Sequence, residues 1–232
     1  MKSLVIIPAY NEENSIEAVL HSVKEWHPGI DIVVVNDGSK DETGRVARAA
    51  GLAHVIDLPV NLGIGGAVQT GYLFAYRNGY DIAIQIDADG QHDPADLDKI
   101  IQVVANGEAA CCVGSRFVEE TDYTPSLLRG IGINFFSWMI RWTIGKRITD
   151  PTSGFRAVNR DCIEVFANYY PDDYPEVEAV VLLERMGFSV KEASVQMHSR
   201  AAGKSSITPF KSMYYMLKVS LAVIMTRIRN VS

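Results

Sequence analysis

Five short apolar runs mark the first half of the chain: Leu4–Ile7, Ile30–Val35, Val55-Ile56, Ile82–Ile86 and Cys111–Gly114. Runs of this length are too short for helices, and most are β-branched, so they predict strands. Between them, Ile16, Val19, Leu20 and Val23 recur at helical spacing, and Asp41–Ala50, Ala67–Tyr76 and Pro94–Asn106 read as further helices. Unbroken apolar strands alternating with amphipathic helices predict a mostly parallel α/β sheet covered on both faces.

Ligands of such sheets bind outside the carboxyl ends of the strands. Conspicuous polar residues fall at those ends: Tyr10-Asn11-Glu12 after the first strand, Asp37-Gly38-Ser39 after the second, Asp87-Ala88-Asp89 after the fourth. Three polar clusters at equivalent strand ends predict one site. The second half reads as a helix over Leu127–Ile144, a strand over Gly154–Val158, helices over Arg160–Ala167 and Val177–Met186, and a strand over Val190–Val195. On the first of these helices, Arg129, Asn134, Ser137 and Arg141 share one arc, while Leu127, Leu128, Ile131, Phe135, Trp138, Met139 and Trp142 share the other. A polar loop, Met197–Thr208, leads to a last amphipathic helix over Phe210–Ile228. The expected organisation is a domain over residues 1–208 and a C-terminal helical appendage over 209–232.

Charge narrows the partners. The net charge of −6 over 232 residues gives no global attraction to nucleic acid. Two segments are nonetheless basic and free of acid: Tyr123–Thr149, with Arg129, Arg141, Lys146 and Arg147, and Ala193–Ser232, with six cations including Arg200 and Lys204. Apolar basic segments in an acidic protein predict contact with an anionic ligand or membrane surface. No uncharged apolar stretch of about 18 residues exists to span a bilayer, and Pro8 with the polar Asn11-Glu12-Glu13 argues against a signal peptide. Three cysteines, two of them adjacent at 111 and 112, predict buried thiols in a reducing compartment.

Asp87-Ala88-Asp89 carries the chemistry. Carboxylates two apart at a strand end can hold one hard cation, Mg²⁺ or Mn²⁺, against a diphosphate; the plainer alternative is a solvated acidic turn. Gln91 can add an oxygen ligand, and His92 reads as a surface or hydrogen-bonding residue. Asp37 suits hydrogen bonds to a base or ribose, or equally an Asx-type turn. Gly63, Gly65 and Gly66 lack dinucleotide-fingerprint spacing and predict a tight loop leading into a helix.

The motifs Pro8-Ala9-Tyr10-Asn11-Glu12-Glu13, Asn36-Asp37-Gly38-Ser39, Asn61-Leu62-Gly63, Asp87-Ala88-Asp89-Gly90-Gln91-His92, Gly114-Ser115-Arg116 and Asp150-Pro151-Thr152-Ser153-Gly154-Phe155-Arg156 occur in that order. Together they closely resemble family 2 glycosyltransferases of the Rossmann-like GT-A fold, and within them the polyprenyl-phosphate, or dolichol-phosphate mannose, group. The resemblance covers roughly Ser3 to Ser206. It implies that Pro8, Tyr10, Glu12 and Asp37 hold the nucleoside, and that Asp87, Asp89 and Gln91 bind metal and diphosphate, with Ala88 between them against the donor. It further implies that Arg116, Arg200 and Lys204 neutralise phosphates, that Arg129 meets the acceptor phosphate, and that Asp150 lies beside the acceptor; the plainer alternatives are a structural salt bridge for Arg116 and solvated loop charges for Arg200 and Lys204. Asp89 and Asp150 are then the catalytic candidates. Glu176 and Glu178 resemble an acidic pair of the group, though a helix N-terminal dipole explains them as well. Asn36 replaces a second Asp of many relatives, and the long hydrophobic C-terminal spans of many relatives are missing.

The expected reaction is inverting, metal-dependent transfer of a sugar from a nucleotide diphosphate sugar to a polyprenyl phosphate. A saccharide hydroxyl acceptor, as in cell-wall or capsular polysaccharide synthesis, is the alternative, with Asp150 as base; a non-catalytic nucleotide-binding subunit is the third. Expected partners are donor, acceptor, membrane surface, and a second copy of the chain or a membrane subunit. The expected place is the cytoplasmic face of a membrane, held peripherally.

Overall fold

The computed structural model describes residues 1–119, 127–171, 175–198 and 220–221; the side chains of residues 127–129 and 131 fall outside that description. The strands are β1 (Ser3–Ala9), β2 (Asp31–Asn36), β3 (His54–Asp57), β4 (Ile82–Gln85), β5 (Cys111–Ser115), β6 (Arg156–Asn159) and β7 (Val190–Ser194). The helices are α1 (Ile16–Trp26), α2 (Thr43–Ala49), α3 (Gly63–Arg77), α4 (Leu97–Ala105), α5 (Leu127–Ile144), α6 (Arg160–Asn168) and α7 (Pro175–Arg185). A short 3₁₀ turn, Pro94–Asp96, leads into α4. The expected helix over Phe210–Ile228 lies outside the described residues except for Ser220 and Leu221, which are helical.

All seven strands form one sheet in the order β3-β2-β1-β4-β6-β5-β7. Pairing is parallel from β3 to β4 and between β5 and β7, and antiparallel where β6 meets β4 and β5. The expected mostly parallel sheet is therefore present, with one reversed strand that an apolar run cannot announce. Reversal follows from connectivity: β6 leaves the 150–154 loop at the carboxyl end of the sheet and runs back down between β4 and β5. The strand order turns around between β1 and β4, and that switch point opens the crevice where ligands of such sheets bind.

Alternation along the strands splits the core in two. Leu4 and Ile6 face one cluster with Val68 and Tyr72 of α3, Ile140 of α5, Phe166 of α6 and Val180 of α7. Val5 and Ile7 face the other, with Leu20 of α1, Ala47 of α2 and Ile100 of α4. All three cysteines are buried and unpaired, and burial pushes the Cys111 thiol up to about 11.

Two elements depart from the sequence reading. α3 begins at Gly63 rather than Ala67, so the glycine run is its first turn and not a loop. The cause lies across the sheet: Asp37 accepts from the amides of Leu62 (2.7 Å) and Gly63 (3.0 Å), satisfying helix N-terminal donors that a glycine-rich turn otherwise leaves to solvent. On α5 the buried stripe is Ile133, Phe136, Met139 and Ile140. Trp138 and Trp142 do not join it; they are 62% and 57% exposed and share the outer face with Asn134 and Arg141. Helical spacing orders these residues correctly, but the buried arc is narrower than the apolar one.

Candidate active site

Three strand tips meet at the switch point. β1 ends through buried Pro8 into exposed Tyr10. Asn11 then takes a left-handed backbone, φ 57°, and is pinned to the neighbouring tip: its amide donates to Ser39 Oγ (3.0 Å) and its Oδ1 accepts from the Lys40 amide (2.8 Å). Glu12 accepts from Ser15 Oγ (2.7 Å), and its amide donates to Thr43 (2.8 Å), so this loop also rests on α1 and α2. At the β2 tip Gly38 has φ 65°, and a Cβ there would lie 2.7 Å from the Asn61 backbone nitrogen, which leaves glycine as the fitting residue. Asp37 is buried; burial raises its carboxyl pKa, opposed by the two amide hydrogen bonds that cap α3. Both its oxygens are thus engaged in holding the β3–α3 connection that borders any nucleoside there. Asn36 Nδ2 donates to Asp57 Oδ1 (2.8 Å), so this position is neutral and tied to β3.

The β4 tip delivers Asp87, Ala88 and Asp89. The Asp87 side chain is 38% exposed, while Ala88 and Asp89 are 4% exposed. Asp89 Oδ1 accepts from the Gln91 amide (3.0 Å), which tightens the turn. Gln91 Nε2 donates to the His198 carbonyl (3.4 Å), and the His198 amide donates back to the Gln91 carbonyl (2.8 Å). The chain that enters the 199–208 stretch is thereby stitched to the acidic turn. Arg200 and Lys204 lie outside the described residues, as does the side chain of Arg129.

Reversed β6 brings the second motif to the first. Gly154 faces Asp87 so closely that a Cβ would lie 3.1 Å from Asp87 Oδ1 and 3.2 Å from Gln85 Nε2. That side-chain-free wall keeps space before the carboxylate. Two carboxylates two residues apart and a nearby amide oxygen are the oxygen chemistry a hard divalent cation takes, although among the described residues no group of three or more His, Cys, Asp or Glu could by itself hold a metal ion. A cation with so few protein ligands must complete its shell from substrate phosphate and water, which is how Mg²⁺ is usually held.

Asp150 and Arg116 are brought together, and both are buried. Arg116 Nε and Nη2 donate to the two Asp150 oxygens at 2.5 and 2.6 Å, a bidentate pair. Glu192 on β7 supports them by accepting from the amides of Thr149 and Asp150 (both 2.9 Å). Ser137 of α5 donates to the Ile148 carbonyl (2.6 Å).

Beneath Asp87 lies a polar group that sequence reasoning missed. Arg156 and Gln85 are cross-strand partners, and Arg156 Nη2 donates to the carbonyls of Ser153 (2.8 Å) and Glu176 (3.3 Å). Tyr170 donates to Gln85 Oε1 (3.3 Å). Glu176 and Glu178 occupy the first turn of α7, and burial raises the Glu176 carboxyl pKa, with Arg156 opposing and Asp87 adding to the rise. The available signal was a polar residue inside an apolar strand run, at Gln85 and again at Arg156. An open depression of about 750 Å³ lies elsewhere, between Met1, Trp26, His27 and Asp98 near the amino ends of the strands, and contains none of the motif residues.

A carboxylate pair at a topological switch point, walled by glycine, suits an enzyme that handles a diphosphate through a divalent cation. The family model for glycosyl transferase family 2 matches residues 4–169, and the chain belongs to that family; it is a glycosyltransferase. Its relatives include the UDP-N-acetylglucosamine–dolichyl-phosphate N-acetylglucosaminyltransferase of Methanococcus voltae, 29% identical over 95% of this chain and 97% of that one. The polyprenol monophosphomannose synthase of Mycolicibacterium smegmatis is 31% identical over 94% and 86%. Among solved structures, glucosyl-3-phosphoglycerate synthase of Mycobacterium tuberculosis, in complex with Mn²⁺, UDP and phosphoglyceric acid, superposes with a TM-score of 0.73 at 21% identity. That match covers 97% of this chain and 78% of the synthase, and it establishes the shared GT-A-like fold.

Proposed function

We propose that this enzyme moves a sugar from a nucleoside diphosphate to the phosphate of a polyprenyl phosphate at a membrane surface. The observation that carries the acceptor class is the Asp150–Arg116 pair. A general base needs a lone pair within reach of the proton it takes, and both Asp150 oxygens are buried against one guanidinium. A phosphate monoester, with a second pKa near about 6, arrives already ionised and needs no base. The two relatives named above, whose names specify polyprenyl or dolichyl acceptors, span nearly the whole chain and support the same reading.

On this reading Pro8, Tyr10, Glu12 and the loop fixed by Asp37 frame the nucleoside. Asp87, Asp89 and Gln91, with Ala88 packed between them, would hold Mg²⁺ or Mn²⁺ against the diphosphate, where the cation offsets charge on the leaving group. Arg116, Arg129, Arg200 and Lys204 neutralise phosphate oxygens. Asp150 is then catalytic only by orienting Arg116. An acceptor phosphate oxygen forms the new bond to the anomeric carbon as the bond to the diphosphate breaks on the opposite face, so configuration inverts. Most of the rate comes from alignment and fixed charge. Incubation with radiolabelled nucleotide sugars and polyprenyl phosphate tests this: label should enter an organic-soluble, acid-labile product. Label found only in water-soluble saccharide would favour the hydroxyl acceptor instead.

Peripheral attachment at the cytoplasmic face of a membrane is part of the proposal, and the outer face of α5 supports the attachment itself. No helix among the described residues is long and apolar enough to cross a membrane. Trp138 and Trp142 stand exposed beside Arg141, and amphipathic aromatics with cations suit the headgroup layer. The 209–232 stretch is proposed as a second contact. Sedimentation with anionic liposomes should fall about tenfold for Trp138→Ala and again for Trp142→Ala, matching loss of a buried apolar side chain. Unchanged binding of the double variant would remove α5 from the interface.

A further inference from the structure

His92 closes the acidic motif, yet it is neither a surface residue nor placed to ligate a cation. It is only 5% exposed. Its Nδ1 accepts from the Asp87 amide at 3.0 Å, so the proton of the neutral ring sits on Nε2. Nε2 has no hydrogen-bond partner among the described residues, and it stands 3.7 Å from Asp87 Oδ2. The ring stacks on Phe155, centroids 4.9 Å apart and planes 18° off parallel, which fixes its tilt. A bridge between His92 and Met197 holds its backbone. One imidazole therefore grips the Asp87 backbone with one nitrogen and presents a buried N–H toward the Asp87 carboxylate with the other.

We propose that His92 is a positioning residue for the Asp87 carboxylate. Its Nε2–H closes on Oδ2 when the carboxylate turns to take a cation through Oδ1, the oxygen facing the Gly154 wall. The inference rests on the metal-binding reading of Asp87 and Asp89. Ligation by His92 itself is opposed by geometry, because freeing Nε2 of its proton would put that proton on Nδ1, against the Asp87 N–H. A carboxylate ligand with one oxygen hydrogen-bonded keeps its orientation, and losing such an outer-shell partner typically weakens metal binding about 10–100-fold.

The test is Mn²⁺ titration followed by electron paramagnetic resonance, with UDP present, on wild type, His92→Phe and His92→Gln at a temperature where melting curves show all three folded. Phe keeps the stack on Phe155 and removes both nitrogens; Gln restores one acceptor and one donor. The expected result is Mn²⁺ affinity about 10–100-fold weaker in the Phe variant, with substantial recovery in the Gln variant. Equal Mn²⁺ affinity in wild type and Phe variant overturns the proposal, even if turnover drops. Imidazole nitrogen coupling to bound Mn²⁺ in the wild type, absent in the Phe variant, overturns it too, since His92 would then be a ligand. Failure of the wild type to bind Mn²⁺ would instead remove the metal reading on which the inference rests.

Discussion

Asp89→Asn is expected to lower turnover about a thousandfold or more while leaving the melting temperature nearly unchanged. The two halves of that result have separate causes. Asp89 Oδ1 accepts from the Gln91 amide, and an asparagine oxygen can accept the same bond, so the turn survives. What disappears is one of the two charged ligands proposed for the cation beside the diphosphate. A divalent cation acting as Lewis acid supplies several kcal/mol of stabilisation to developing charge, and each 1.36 kcal/mol is tenfold in rate. Chelation of the wild type should reach the same floor, with recovery on adding Mg²⁺ or Mn²⁺. Turnover undiminished in excess chelator would show that the carboxylates serve another purpose.

Asp150→Asn is expected to act chiefly on stability. Removing one partner of a buried ion pair leaves the other charge uncompensated, at a cost of about 3–5 kcal/mol. For a chain of this size that is roughly 10 °C in melting temperature. Turnover per folded molecule, measured well below the transition, should fall less than the about 10²–10⁴-fold that loss of a general base brings. A double replacement, Arg116→Met with Asp150→Leu, should regain much of the stability, because apolar pairs of similar volume often replace buried ion pairs without loss. It should not regain turnover, since the cation is gone. If Asp150→Asn keeps its stability but loses activity by the full base contribution, the acceptor is a hydroxyl and Asp150 is its base.

The motifs legible in the sequence were those whose meaning is local. Asp87 and Asp89 could be read because an apolar run, Ile82–Ile86, delivers them, and six motifs in order carried the family resemblance. Relations that close over long separations were not legible. Asp37 caps α3 from 25 residues away, so Gly63–Gly66 read as a loop. Arg116 and Asp150 lie 34 residues apart; a structural salt bridge was one reading of Arg116 beside a phosphate ligand, but nothing local named Asp150 as its partner, and Asp150 alone suggested a base. Nothing in Arg156-Ala157-Val158 states which way the strand runs. Helical spacing on α5 ordered its residues correctly but did not say how wide the buried arc is, which left Trp138 and Trp142 on the wrong side. For His92 a hydrogen-bonding role was legible and is present, but its burial was not, because that depends on Phe155, which arrives only with β6.

The reversed strand also shapes how the protein is made. Residues 3–85 contain β1 to β4, each strand joined to the next by a helix, and all their pairings, β1 with β2, β2 with β3 and β1 with β4, can form in parallel as the chain emerges. The other edge of β4 then waits for a neighbour some 70 residues later, because β6 rather than β5 lies against it. During synthesis at about 5–20 residues per second, that interval is several seconds. Over that time Ile82–Gln85 is an unpaired apolar edge, the kind of template on which nascent chains associate. β5 shares the exposure until β6 and β7 flank it. The strand that joins the two halves of the crevice is thus also the one that covers the apolar edges of β4 and β5 against other copies of the chain.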